Sequence, residues 1–364
     1  MKNMFIKMTR AALAGGLMFA AMASHAEALP KVIRIGVASP SVGNPPRFTT
    51  GAYGLAYTKG WFDEEFRKDG VKLEWTFFKG AGPAVNEALT NHQLDFALQG
   101  DLPAVIGRSS GLKTRLIAAA TVRTNIYLAA PPDSQIKTIK DLKGKRVGVF
   151  VGTNMQLVVD RILAANGLTE KDLRIVNLDT GSLNAAIASK SIDAAFSFVD
   201  FLSLRDKGLA KIIYTNRGAS PVFTRQNALL VTDEFATQYP EATTRIVKTL
   251  VRSAHWVSQE ANQPEAFQQW SQMGFSEAIL REDASGEPLK SLQSPLLDDF
   301  FVSRYKAVAQ ETLKLKLTRN QVEVNSWVDR RFLDAALKQL QLTGYWTPLD
   351  ANAKPAGTAV AASK

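Results

Sequence analysis

The chain has 364 residues, 46% of them hydrophobic and 21% charged, a balance that excludes wholesale disorder and leaves room for two domains with sizeable cores. Lys and Arg outnumber Asp and Glu by 44 to 34, but the excess is scattered rather than grouped with aromatic residues. That argues against a nucleic-acid groove and leaves a mild positive field suited to a small anion. No cysteine occurs, so disulfides, thiol nucleophiles, thiolate metal sites and a lipid-modified amino-terminal cysteine are excluded.

In chain order, Lys2, Lys7 and Arg10 precede the apolar stretch "AALAGGLMFAAMA", and Ser24 and Ala26 supply small residues after it. This is the layout of a secretory signal peptide spanning residues 1–26, cleaved after Ala26 and implying a periplasmic location. The apolar run is shorter than the roughly 20 residues that span a bilayer. "KVIRIGVA" at 31–38 reads as a first strand, a helix is predicted over 53–66, and "VKLEWTFF" at 71–78 alternates as a second strand. "GAGP" at 80–83 leads into a helix over 84–91, "LDFAL" forms a third strand, 102–108 a helix, and 113–122 a fourth strand.

The same grammar restarts with strands at 144–150, 173–178, 192–196 and 210–215, and helices over 153–166 and 181–189. Strands alternating with helices predict a mostly parallel sheet covered on both faces in each block. A constant offset places Asn86 on Asn184, Leu94 on Ile192, Asp95 on Asp193 and Ala97 on Ala195, which points to an internal repeat. Residues 123–134 and 220–232 read as two extended crossings between the blocks. The expected division is therefore a first lobe of 27–123 plus 224–350 and a second of 124–223, joined by a two-segment hinge. The region after Asp233 is helical to about Leu342, and 351–364 reads as a frayed tail.

Ligands of open α/β sheets bind beyond the carboxyl ends of strands, where helix amino termini present free N–H groups. "GAGP" at 80–83, "GD" at 100–101, "GTN" at 152–154 and "VD" at 199–200 all fall at such ends, two in each block. Asp101 there is expected to cap the following helix, with Pro103 in its first turn and Gly100 admitting a ligand to the backbone. The alternative at this point is an ordinary capped helix.

"VKLEWTFFKGAGPAVNEAL", "LDFALQGDLPAVI", "IKTIKDLKGKRVGV", "VGTNMQLVVDRIL" and "IDAAFSFVDFL", in that order, resemble the periplasmic substrate-binding proteins of aliphatic sulfonate, taurine and nitrate uptake systems. The resemblance covers about Ile33 to Trp346. It implies an α/β, two-lobed type II periplasmic binding protein fold that closes on a small anionic ligand and delivers it to an ABC-type membrane permease and its ATPase. It also implies a monomer that binds no nucleic acid, no cofactor and no metal. The family's cleft positions fall here on Gly82, Pro83, Gly100, Asp101, Thr153, Asn154 and Asp200. Two departures matter: the loop "SPSVGNPPRFTTGAYG" at 39–54 is longer than the usual turn, so Ser41, Asn44, Arg47 and Phe48 are candidates for shaping the ligand, and Val199 stands where the family often has an aromatic. The expected ligand order is an organosulfonate, then nitrate, then a neutral heterocycle such as a thiamine precursor.

Arg123, at the start of the first crossing, is a candidate for forked bonds to a sulfonate, its alternative being a solvated hinge residue; Arg225 in the return crossing is a weaker candidate. Trp75, Trp256 and Trp270 read as core. Outside the signal only His92 and His255 remain, far apart in sequence, and the one "GxSxG" string, "GRSSG" at 107–111, falls at the end of the helix predicted over 102–108 and not on a strand-to-helix elbow, so a catalytic triad or histidine-rich metal site is unsupported. A similar fold serves pyrimidine synthesis for thiamine, but with a cysteine-rich motif that this chain lacks.

Overall fold

The computed structural model describes residues 29–356; the expected signal peptide and the last residues of the tail lie outside them. Chain order in the first block is β1 (Val32–Val37), α1 (Ala52–Thr58), α2 (Trp61–Phe66), β2 (Lys72–Phe77), α3 (Ala81–Thr90), β3 (Phe96–Gly100), α4 (Asp101–Ser109) and β4 (Thr114–Thr124). β5 (Tyr127–Ala130) leads into β6 (Arg146–Val149), α5 (Asn154–Ala165), β7 (Arg174–Asn177), α6 (Thr180–Ala188), β8 (Ala194–Ser197), α7 (Asp200–Asp206) and β9 (Lys211–Thr215). β10 (Arg225–Thr232) then returns to the first block.

These strands form two five-stranded sheets of equivalent order, β2-β1-β3-β10-β4 and β7-β6-β8-β5-β9. The crossings are more than connectors. β10 inserts antiparallel between β3 and β4, and β5 inserts antiparallel between β8 and β9. Each lobe therefore receives one strand directly after the chain has crossed, which is where its sheet departs from a parallel arrangement.

The sequence repeat has a structural counterpart. Asp95 Oδ2 accepts from the Arg34 N–H at 2.7 Å and its Oδ1 meets the Arg34 guanidinium at 2.6 Å. Asp193 repeats the device on Arg146, at 2.7 Å and 3.2 Å. In each lobe the acid just before one strand, β3 or β8, ties it to the parallel strand beside it, β1 or β6. Register is set there, since a one-residue slip would turn every apolar side chain outward.

The helix expected over 53–66 is two helices. Gly60, at φ 68°, adopts the left-handed conformation that ends α1 and redirects the chain into α2. Phe48 does not face a ligand: it is buried, with ring centroids 5.4 Å from Tyr57, 6.0 Å from Trp75 and 5.0 Å from Phe77. Burial of so large a ring outweighs any role at the surface. The tail departs from expectation too, because residues to Ala356 fold back through a Leu349–Pro355 bridge and an Ala356 N–H to Pro348 C=O bond of 2.8 Å.

The carboxyl-terminal region supplies α8 (Asp233–Gln238), α9 (Pro240–Ser258), α10 (Gln263–Ser271), α11 (Glu277–Asp283), α12 (Leu289–Leu292) and α13 (Asp299–Lys314). α9 and α13 pack into the first lobe's core, whereas Ile279 of α11 belongs to the second lobe's core and Leu280, beside it, to a smaller cluster around Phe267 and Trp270. Glu282 of the same helix takes both Arg205 guanidinium nitrogens at 2.8 Å. α11 thus ties the helical region to the second lobe. Replacing Phe48 with Ala is expected to lower the free energy of unfolding by about 3–5 kcal/mol, read from urea denaturation of the full chain.

Candidate ligand cleft

In both lobes the parallel strands end where helices begin, so α3 and α4 from the first lobe and α5 and α6 from the second direct their amino termini toward one region. How closely they meet is set by residues without side chains. A Cβ on Gly82 would fall 2.3 Å from Pro103 Cβ, and one on Gly100 would fall 2.6 Å from the Asn154 side chain across the cleft. Gly152, at φ 78°, lies against Pro83, 3.3 Å from where its Cβ would stand. The lobes are therefore in van der Waals contact at Gly100–Asn154 and Gly152–Pro83.

Ion pairs flank this contact. Lys79, just before α3, lies 3.7 Å from Asp179, the residue whose carboxylate accepts the Ser182 N–H and caps α6. Arg161 of α5 pairs with Glu311 of α13 at 2.8 Å and also donates to the Val222 carbonyl.

Thr153 caps α5, accepting the Met155 N–H at 3.3 Å while its hydroxyl donates to the Phe150 carbonyl at 2.7 Å. Asn154 follows at the lobe junction, its Nδ2 donating to Asn227 Oδ1 at 3.2 Å. Asp101 is not the cap expected of it. Gly100 occupies the cap position in extended conformation, and Asp101 is the first helical residue, accepting the N–H of Leu102 at 2.8 Å. The Gln226 N–H of β10 also serves it. Its carboxylate therefore ties the start of α4 to the return strand. Asp200 is likewise the first residue of α7, and both its oxygens receive the Ser197 hydroxyl, at 3.0 Å and 2.9 Å, while the Phe198 N–H donates to Oδ1.

Burial pushes Asp101 and Asp200 each from 3.8 up to about 6, against the opposing pull of Arg161, Arg225 and backbone N–H groups on the first and of Ser197 and Phe198 on the second.

Arg225 is the cation of the cleft. Its guanidinium lies 3.7 Å above the Phe198 ring, Nη2 donates to the Asn125 carbonyl at 3.0 Å, and Nη1 stands 3.5 Å from Asn154 Oδ1. Nε is buried without a hydrogen-bond partner. Burial pulls this group down to about 10, with Asp283, Asp101 and Asp200 opposing, so it remains charged at neutral pH.

Arg123 pairs away from the cleft. Its backbone is left-handed at φ 53°, its N–H donates to Gln226 Oε1 at 3.1 Å, and its guanidinium lies beside Glu287; the residue lines a cavity behind the cleft and also a small one that Asn125 shares. Ser41 is half-buried, and Asn44 is exposed at the tip of the turn closed by Val42 and Arg47. The structure thus brings Gly82, Pro83, Gly100, Asp101, Thr153, Asn154 and Asp200 toward one cleft and leaves Arg123 out of it. Asn125, Phe198 and Asn227 were not singled out from sequence. Asn227 could have been: once 225–232 is taken as a strand, it shares a face with Arg225.

A two-lobed α/β binding-protein fold with a cleft of helix amino termini defines the class. Residues 49–265 match the model of the NMT1/THI5-like family, and the chain belongs to that family. It is 27% identical over 293 residues to a candidate aliphatic sulfonates-binding protein of Bacillus subtilis, covering 78% of this chain and 84% of the relative. A solved structure from Methylobacillus flagellatus, a candidate periplasmic sulfonate-binding protein SsuA, superimposes with a TM-score of 0.76 at 33% identity over 89% of this chain and 99% of that one. The alkanesulfonate-binding SsuA of Xanthomonas axonopodis pv. citri, bound to MOPS, shares the fold with a TM-score of 0.70 at 22% identity, covering 83% and 99%.

Two expectations follow from this geometry. Gly100→Ala cannot accommodate Asn154 at its present distance, so the variant should favour an open form and bind ligand at least about tenfold more weakly, with an enlarged radius in small-angle scattering. For Asp200 the unfolded carboxyl titrates at 3.8 and the folded one at about 6. Between those values the folded state binds more protons, so this group's contribution to stability falls as pH rises through that window and is constant above it. Asp200→Asn removes the dependence: relative to the variant, the wild type should lose up to about 3 kcal/mol between pH 4 and pH 7, measured by urea unfolding at both.

Proposed function

We propose that this chain is the solute-binding component of an ABC-type importer. It would work in the periplasm after loss of residues 1–26, capturing an organosulfonate between lobes 27–123 plus 224–350 and 124–223, and presenting it to a membrane permease served by an ATPase. It acts as a monomer and as a carrier, not an enzyme. The observation that carries this reading is the meeting of α3, α4 and α5 amino termini across Gly100–Asn154 with the Arg225 Nε unpartnered beside them. Helix amino termini and a guanidinium edge are donors only, which is what a tetrahedral oxyanion requires.

A sulfonate is favoured over nitrate because Phe198, under Arg225, and Val199, packed on the cluster around Phe267, offer apolar surface for an alkyl body. Closure follows from differential contact, since only the closed arrangement places donors of both lobes on one anion.

The test is calorimetric titration of the chain with alkanesulfonates, taurine and nitrate. One equivalent of an alkanesulfonate should bind and raise the melting midpoint, and Arg225→Gln should weaken it by about 10- to 100-fold. Binding of nitrate alone would replace the substrate, and undiminished sulfonate affinity in Arg225→Gln would remove this residue from the site.

A further inference from the structure

A second cavity, of about 280 Å³, lies between the end of β4 and the helices that follow α11, and its lining includes none of the cleft residues described above. Arg123, Lys290 and Trp346 line it on the polar side, Val122, Leu296 and Phe300 on the apolar side. Its size admits one ring-sized organic molecule.

Arg123 Nε and Nη2 and Trp346 Nε1, all buried, lack a hydrogen-bond acceptor among the described residues. The Arg123 side chain is only 6% exposed. Nη2 stands 2.6 Å from the half-exposed Glu287 carboxylate but makes no aligned hydrogen bond with it, and Nε has no partner at all among the described residues. These two atoms form the guanidinium edge that binds a planar carboxylate in a fork. The Trp346 indole N–H, on a residue 3% exposed, also has no acceptor. Asp298, in the same lining, receives the N–H groups of Phe301 and Leu349, both at 2.9 Å, and lies within the field of Arg123 without a hydrogen bond to it. Lys290 adds a second cation, held 4.0 Å from the Tyr345 ring centroid.

Buried donors left without acceptors destabilise a fold, and such groups ordinarily mark a missing partner. Arg123 is also held at φ 53°, a left-handed conformation that disfavours any residue with a Cβ. The Gln226 side chain, fully buried, fixes that conformation by accepting the Arg123 N–H. The backbone of Arg123 is thus held at the joint between the crossing strands, and its side chain lines the cavity.

We propose that this cavity is a second ligand site, separate from the interlobe cleft, that takes a small organic carboxylate with a ring-sized apolar body. Its head group lies on the Nε–Nη2 edge of Arg123 and the indole N–H of Trp346, in place of Glu287, and its body packs on Val122, Leu296 and Phe300.

The probe is benzoate, titrated into the full chain while the indole N–H signal of Trp346, assigned with Trp346→Phe, is followed by NMR. A saturable shift of that signal is expected in the wild type and equally in Arg225→Gln, whose lesion is in the cleft. Arg123→Gln should weaken the benzoate affinity by at least about tenfold, and Lys290→Met, at the half-buried wall, provides a second lesion should Arg123→Gln not fold. Absence of a saturable shift overturns the proposal. So does a shift that survives Arg123→Gln or Lys290→Met undiminished, or one that disappears in Arg225→Gln, which would report cleft closure instead.

Discussion

Gly100 has no side chain, and Asn154 of the opposite lobe fills the space where one would be. Much of the cleft depends on that approach. It brings the amino terminus of α5 onto that of α4, and the positive ends of aligned peptide dipoles do not meet without compensation. The compensation is local and negative: Asp101 and Asp200 each sit at the first residue of a helix, buried, and consume nearby backbone N–H groups. Because their oxygens are already engaged with Leu102, Ser197 and Phe198, they neutralise field without saturating Arg225. The guanidinium keeps a free Nε in a place where an unpaired donor is costly. On the proposed function, an arriving oxyanion would remove that cost, so the arrangement that makes closure expensive when empty would make it favourable when filled.

The two lobes are built to the same plan, and the plan is anchored by charge rather than by shape. Asp95 on Arg34 and Asp193 on Arg146 fix the first and third strands of each sheet to one another. The crossing strands then close each sheet from the other side, so the hinge consists of residues that are partly sheet and partly joint. Asn125, between β4 and β5, shows the consequence: its side chain is held by Asp283 of α11 at 2.7 Å and its carbonyl receives Arg225. α11 therefore bridges the joint, with Ile279 and Leu280 in different cores.

How much of this was legible in the sequence divides by the range of the interaction. Periodicity of two and of 3.6 located the strands and helices, and the offset that pairs Asp95 with Asp193 identified a device before its partner arginines were visible. The motif glycines and Asn154 were placed at the cleft because strand ends and helix starts are local facts. What local pattern could not settle was direction. Arg123 and Arg225 both stand on crossings, but the first guanidinium pairs with Glu287 and the second with the Phe198 ring and the Asn125 carbonyl. Phe48 shared a loop with Ser41 and Asn44, and only packing against Tyr57, Trp75 and Phe77 separates it from them. Asp101 was taken for a cap because Asp-Leu-Pro fits one, whereas the neighbouring strand β10 supplied a longer-range partner in Gln226.

The buried acids of the cleft are engaged by hydroxyl and backbone donors, and Ser197 donates its hydroxyl to both oxygens of Asp200. Among the described residues, His92 closes α3 beside the Arg34 anchor and His255 packs edge-on to Tyr345 with a centroid distance of 4.6 Å, each engaged outside the Ser197–Asp200 pair. On the function proposed above, the helix N–H groups and the Arg225 edge would hold negative charge that a ligand already carries. A site made of donors pointed at a fixed anion, with the lobes meeting around it, fits reversible capture, and the strength of capture is then set by how much of the closing cost the anion itself removes.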